Sequence, residues 1–121
     1  GDDAAGLQIS ESLRSQIRGS KQALQNTQDA INVLNIADGA QSVIQDNLQR
    51  IRELTVQAAN DTLATAQRTA IATEITQRLS DVDRVANSTT FNGVNLLSSA
   101  SPANYYIQLG ANNSATNDRI D

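Results

Sequence analysis

One stretch, from Ala4 to Ala59, constrains the fold more than any other: it contains no proline and repeats its apolar residues at helical spacing. Leu13, Ile17, Leu24, Ile31 and Leu34 fall sevens apart, divided into threes and fours; past Leu34 the stripe shifts to Ala37, Ala40, Ile44, Leu48 and Ile51. Such spacing gathers apolar side chains on one helix face and leaves the polar ones for water or neighbours. At 1.5 Å per residue a helix over about 4–59 would run roughly 80 Å. That length belongs to coiled-coil elements more than to the helices of a compact globule. Gly19 and Gly39 interrupt the stretch, each at about 1 kcal/mol relative to alanine. Either they are tolerated defects, or a neighbouring helix comes close there.

Asn60-Asp61-Thr62 breaks the pattern with residues suited to a helix end and a turn. A second helix is expected over about 65–86, with Ile71, Ile75, Leu79 and Val82 on its apolar face and Val85 or Ala86 closing it. Glu74 precedes Arg78 by four residues, as Asp46 precedes Arg50, the favourable order for helical ion pairs. From Asn87 to Gly93 the chain reads as a turn-rich loop, with Asn92-Gly93 offering positive φ and Phe91 as its anchor. Pro102 marks a further loop. Tyr105 to Leu109 reads as a strand, Gly110 to Ser114 as its turn and Thr116 to Ile120 as the returning strand. A lone hairpin is marginal, so this one is expected to lie on the helices or on chain beyond these residues. Neither end reads as a domain boundary, which predicts a piece of a longer protein.

Composition removes most chemistry. Aromatic residues make up 2% of the chain, and rings carry much of the buried area of a thick core, so a thin seam between helices is expected. The net charge is −4, and the arginines are scattered among acids with Lys21 the single lysine; neither a nucleic-acid face nor an anionic-lipid patch follows. No apolar run approaches the roughly 20 residues of a membrane span. Histidine and cysteine are absent, which removes the usual zinc ligands and nucleophile–base pairs. The acid pairs Asp2/Asp3 and Asp81/Asp83 have no apolar setting to raise a pKa and read as helix-end or solvated charge. No Gly-rich phosphate loop or calcium loop occurs. The expectation is a non-enzyme without cofactor or metal.

The densest mixed stretch is Asn47 to Gln57. Leu48 and Ile51 fit the buried stripe, whereas Gln49, Arg50, Arg52, Glu53 and Gln57 point elsewhere and Leu54 falls off the seam as an exposed leucine. The run reads equally as plain solvated helix and as a binding strip, arginine being enriched at interface hot spots.

Asn47–Gln57 resembles the signature of bacterial flagellin, the filament subunit. Asp2-Asp3-Ala4-Ala5-Gly6-Leu7 resembles the start of that family's inner rod domain, Glu74-Ile75-Thr76-Gln77-Arg78-Leu79 its second rod helix, and Phe91-Asn92-Gly93-Val94 the loop that follows. Ile107-Gln108-Leu109-Gly110-Ala111-Asn112 has the family's hairpin character. The resemblance covers nearly the whole chain, in order.

It implies a mainly α fold: a long helix and a shorter antiparallel helix forming a coiled-coil-like rod, followed by a small β-hairpin. Residues 1–121 would be the N-terminal portion of one rod domain, D1, lacking the terminal segments and the C-terminal helix that completes the bundle. Leu13, Ile17, Leu24, Ile31 and Leu34 would then lack a partner, to be covered by that helix or by another copy of the chain. The implied function is structural, in an extracellular flagellar filament built from subunits secreted by the flagellar export apparatus, with other flagellin subunits as partners. A second implied partner is the animal innate immune receptor TLR5; Gln49, Arg50, Leu54 and Gln57 match the recognised surface, and Asp81 stands where recognised members carry Glu. The nearest rival is a hook–filament junction protein, which shares the rod plan. A coiled-coil adaptor is the rival from another class, and the register shift near Leu34 counts against it.

Overall fold

The computed structural model describes residues 2–98 and 106–109, and the backbone of 119–120. Two helices come first, α1 over Asp2–Ala58 and α2 over Thr65–Ser88, then four two-residue strands: β1 (Thr90–Phe91), β2 (Val94–Asn95), β3 (Ile107–Gln108) and β4 (Arg119–Ile120). The long helix, the shorter helix and the terminal hairpin expected from the sequence are all present. The turn expected at Gly110–Ser114 and the loop at Pro102 lie outside the described residues. The chain divides into two compact units, one of residues 1–32 and 102–121, the other of 33–101.

In the first unit β3 and β4 pair antiparallel, Ile107 opposite Ile120 and Gln108 opposite Arg119. A two-stranded ribbon of this size needs support, and α1 provides it: Asn26 Nδ2 donates to the Gln108 carbonyl at 2.9 Å. Ala23, one turn earlier on α1, is buried. By contrast Leu13, Ile17, Leu24 and Ile31 remain between 46 and 70% exposed. The apolar stripe expected to lack a partner is left largely uncovered by the described residues of this unit.

In the second unit α1 ends where Asn60 folds back on itself: its Oδ1 accepts from Thr62 N at 3.2 Å and from Thr62 Oγ1 at 3.0 Å, an Asx turn that replaces helical bonding. The Arg68 guanidinium caps the same turn through the Asn60 carbonyl at 3.1 Å. At the start of α2, Gln67 Oε1 accepts from Ala64 N–H at 3.1 Å, satisfying a donor that the helix leaves free. Its other end is held by Thr89, whose N–H and Oγ1 both donate to the Val85 carbonyl, at 3.1 and 2.6 Å. The segment expected as a loop after α2 is instead a tight hairpin: Phe91 pairs with Val94 and Thr90 with Asn95. Asn92 and Gly93, at φ 51° and 77°, form the two-residue turn. Two consecutive positive φ values match the twist of the flanking strands, and Asn-Gly is the pair that adopts them most cheaply.

Which α1 residues are covered is set by a stricter repeat than the apolar one. Gly19, Ala23, Asn26 and Ala30 in the first unit, then Val33, Ala37, Ala40, Ile44, Asn47, Ile51, Leu54 and Ala58 in the second, are buried or half-buried. They follow steps of four and three without a break, the signature of a heptad seam. The register shift near Leu34 is therefore the sequence passing from one face to another: the large residues before it lie beside the covered column, and Ala37, Ala40, Ile44 and Ile51 after it lie in it.

Gly39 lies outside this column and is exposed, and a Cβ placed there meets nothing within 4 Å. Close approach of a second helix within the unit does not explain it. Gly39→Ala is expected to stabilise the chain by about 0.5–1 kcal/mol by removing unfolded-state freedom; a higher urea midpoint at unchanged slope would show it.

Candidate interaction strip on the long helix

Of the residues matched to a recognised surface, Gln49, Arg50 and Gln57 on α1 and Asp81 on α2 are exposed. Leu54 is not. It is the most deeply covered side chain among the described residues, at 2% exposure, whereas Leu48, expected in the buried stripe, is half exposed. The two leucines exchange the places the sequence reading gave them. From Ile44 a helix seam can continue at either i+3 or i+4. The apolar choice is Leu48, but the seam takes the polar Asn47, and from there the steps of four and three lead through Ile51 to Leu54.

Cross-helix hydrogen bonds fix this choice. Arg50 Nε donates to Glu74 Oε1 at 3.3 Å and Arg78 Nη1 to Asn47 Oδ1 at 3.2 Å. As numbers rise along α1 they fall along α2, so the helices run antiparallel. One turn further in the same register Leu54 comes level with Ile71, and both are buried. The same Glu74 Oε1 accepts from Arg78 Nε at 3.1 Å, the helical pair expected from sequence. Asp46 does not pair with Arg50; the guanidinium is taken instead by Glu74 and by Glu53, whose Oε2 accepts from Nη1 at 3.1 Å. Asp81 pairs with Arg84 of its own helix at 3.5 Å, and no hydrogen bond or ion pair joins it to α1 among the described residues. It lies seven residues along α2 from Glu74, about 10 Å at 1.5 Å per residue.

The electrostatics follow from these contacts. Arg50 is held more firmly protonated than usual, first by its hydrogen bond to Glu53 and then by Glu74. The Glu74 carboxyl is held below the ordinary value, chiefly by Arg78, with Arg50 adding to it against a desolvation that acts the other way. Sequence reasoning noticed Glu74 only as a partner of Arg78 and missed its second role, which no spacing within either helix signals. This cluster is a source of directed N–H donors, not an acid–base pair. Among the described residues no group of three or more His, Cys, Asp or Glu side chains is placed to hold a metal, and no helix there is long and apolar enough to cross a membrane.

A long helix with a covered column, a shorter antiparallel helix hydrogen-bonded to it beside the buried Leu54 and Ile71, and two small hairpins define a helix-packing segment. The chain belongs to the family of the bacterial flagellin N-terminal helical region, which matches residues 1–101. It is 45% identical over 117 residues to a flagellin of Serratia marcescens, covering 97% of this chain and 33% of the relative. A flagellin of Clostridium tyrobutyricum is 50% identical over 97 residues, 80% of this chain and 26% of that protein. A flagellin of Escherichia coli K12 is 46% identical over 115 residues, 95% and 23% respectively. The chain thus spans about a quarter to a third of the length of these relatives.

Proposed function

We propose that this chain is a rod-domain portion of a flagellar filament subunit, structural and not enzymatic, which packs lengthwise with other subunits outside the bacterial cell after secretion by the flagellar export apparatus. The observation that carries this reading is the uncovered stripe Leu13, Ile17, Leu24 and Ile31 on a chain similar to flagellins. Large apolar side chains repeated along one helix face are a docking surface for another helix. The C-terminal helix of the same rod domain is the proposed occupant, and another copy of the chain is its substitute when that helix is missing. Filament formation by the full-length protein, seen by negative-stain electron microscopy, and its loss when this stripe is charged, test the assembly.

The second part of the proposal is recognition by TLR5 through α1. Gln49, Arg50 and Gln57 are the exposed members of the strip, with Asp81 on α2 at its border. Leu54 supports them from beneath. Arg50→Ala is expected to weaken binding to the TLR5 ectodomain by at least about tenfold, as loss of an arginine hot spot does, with circular dichroism unchanged. Equal binding by wild type and variant would remove Arg50 from the strip.

A further inference from the structure

We infer that Asn92 is a self-modification site: when the β1–β2 hairpin opens, its side-chain amide is lost to attack by the Gly93 backbone nitrogen, and the closed hairpin blocks that attack. Neither the interaction strip nor the apolar stripe uses this residue.

The chemistry needs these two residues and water. The Gly93 nitrogen gives up its proton and attacks Asn92 Cγ. A C–N bond forms, the Cγ–Nδ2 bond breaks, and Nδ2 leaves as ammonia, so that a five-membered succinimide remains. Water then adds to one ring carbonyl and cleaves its bond to the nitrogen. Cleavage at Cγ leaves an aspartyl residue; cleavage at the backbone carbonyl leaves isoaspartyl, with the chain now running through Cγ. The sum is amide plus water to carboxylic acid plus ammonia, and nothing is oxidised or reduced.

Composition and exposure favour the reaction. Glycine sets no Cβ beside the attacking nitrogen. Asn92 and Gly93 are both exposed, and no hydrogen bond holds the Asn92 amide among the described residues.

The backbone conformation opposes it. Ring closure requires the Gly93 nitrogen to turn about the Asn92 Cα–C bond until it eclipses Cβ. Asn92 stands at φ 51°, in the left-handed region where ψ is about +30 to +60°. At that ψ the nitrogen lies on the far side of the Cα–C bond from Cβ, and nucleophile and Cγ are kept apart. Asn92 cannot leave this region without undoing the turn that sets Phe91 opposite Val94. Behind the turn, Leu96 N–H donates to the carbonyl of the buried Thr89 at 3.0 Å. The reaction therefore waits for local opening of the hairpin. Asn-Gly is the pair that closes this turn most cheaply and also the pair that can destroy it. Isoaspartyl adds a methylene to the backbone between Phe91 and Val94, and a two-residue turn has no room for it in register.

The test follows the 121-residue chain in mildly alkaline buffer, folded and in guanidinium chloride, with peptide mapping to separate the three forms of position 92. Loss of the amide should be at least about tenfold slower in the folded chain, as expected when only an opened minority reacts. In denaturant Asn92 should react ahead of Asn87, whose attacking nitrogen belongs to Ser88. Val94→Pro removes the N–H opposite Phe91 and keeps Asn92-Gly93; in buffer it should react within about threefold of the denatured rate, with helicity by circular dichroism unchanged. In wild type, amide loss should rise in step with hydrogen exchange at the Leu96 amide as denaturant is added below the main transition. Equal rates folded and denatured, or no reaction when denatured, overturn the inference. So does a folded Val94→Pro that reacts as slowly as wild type. Should that variant lose its helices, the wild-type exchange series decides: Leu96 exchange that rises while Asn92 stays intact overturns the hairpin's role.

Discussion

Leu54→Ala is expected to destabilise the second unit by about 2–3 kcal/mol, within the range for leucine-to-alanine changes at fully covered sites. Its side chain is 2% exposed, and the buried apolar residues among those described are only Ala23, Leu54 and Ile71. With so few covered side chains, no other residue compensates for the cavity. Loss of that order is a large share of the stability of a small domain, so α2 should separate from α1 well before α1 itself melts. Urea unfolding followed by circular dichroism measures it, with Leu48→Ala as the comparison. Leu48 is the same residue type on the same helix, half exposed, and its truncation should stay within about 0.5 kcal/mol. Equal losses at the two positions would mean that α2 does not face Leu54. The result also bears on recognition: a weakened partner interaction in Leu54→Ala would report release of Glu74 from Arg50 as much as any direct contact.

The helices were legible because their signals are local. Absence of proline, apolar spacing and the Asn60-Asp61-Thr62 break bound α1 and α2 to within about two residues. The β1–β2 hairpin was partly legible: Asn92-Gly93 announced the turn, but two-residue strands are too short to show alternation. What the sequence could not show was rotation of α1 about its own axis. Two columns compete on that helix, one of large apolar residues and one of small and polar ones, and size favours the first. In the second unit the covered column is the one on whose side Asn47 and Arg50 have partners on α2, and pairing across helices leaves no mark in the spacing of either one. Leu54 was misplaced for this reason, and Glu74, placed only beside Arg78, lost its connection to Arg50.

In the full-length protein, Leu24→Glu together with Ile31→Glu is expected to abolish filaments while leaving this chain folded. Both residues are exposed in the first unit, at 70 and 46%, and glutamate is a good helix former. The 121-residue chain should therefore change in stability by no more than about 1 kcal/mol for the two positions together. Once a second helix covers the stripe the balance reverses. Each substitution removes about 1.5–3 kcal/mol of apolar burial and places a carboxylate in the covered seam, where Lys21, three residues before position 24, is the one cation within a turn of either site. Carried by the rod domain of every subunit, that difference leaves no completed bundle from which a filament can assemble. Circular dichroism of the chain and electron microscopy of the full-length protein read the two halves separately. Filaments that persist would show that the stripe faces solvent in the assembly as well. Loss of helicity in the chain alone would show instead that Leu24 and Ile31 are held within it. Intact helices without filaments would assign the large apolar residues of α1 to a neighbour, just as the small ones between them serve the chain's own fold.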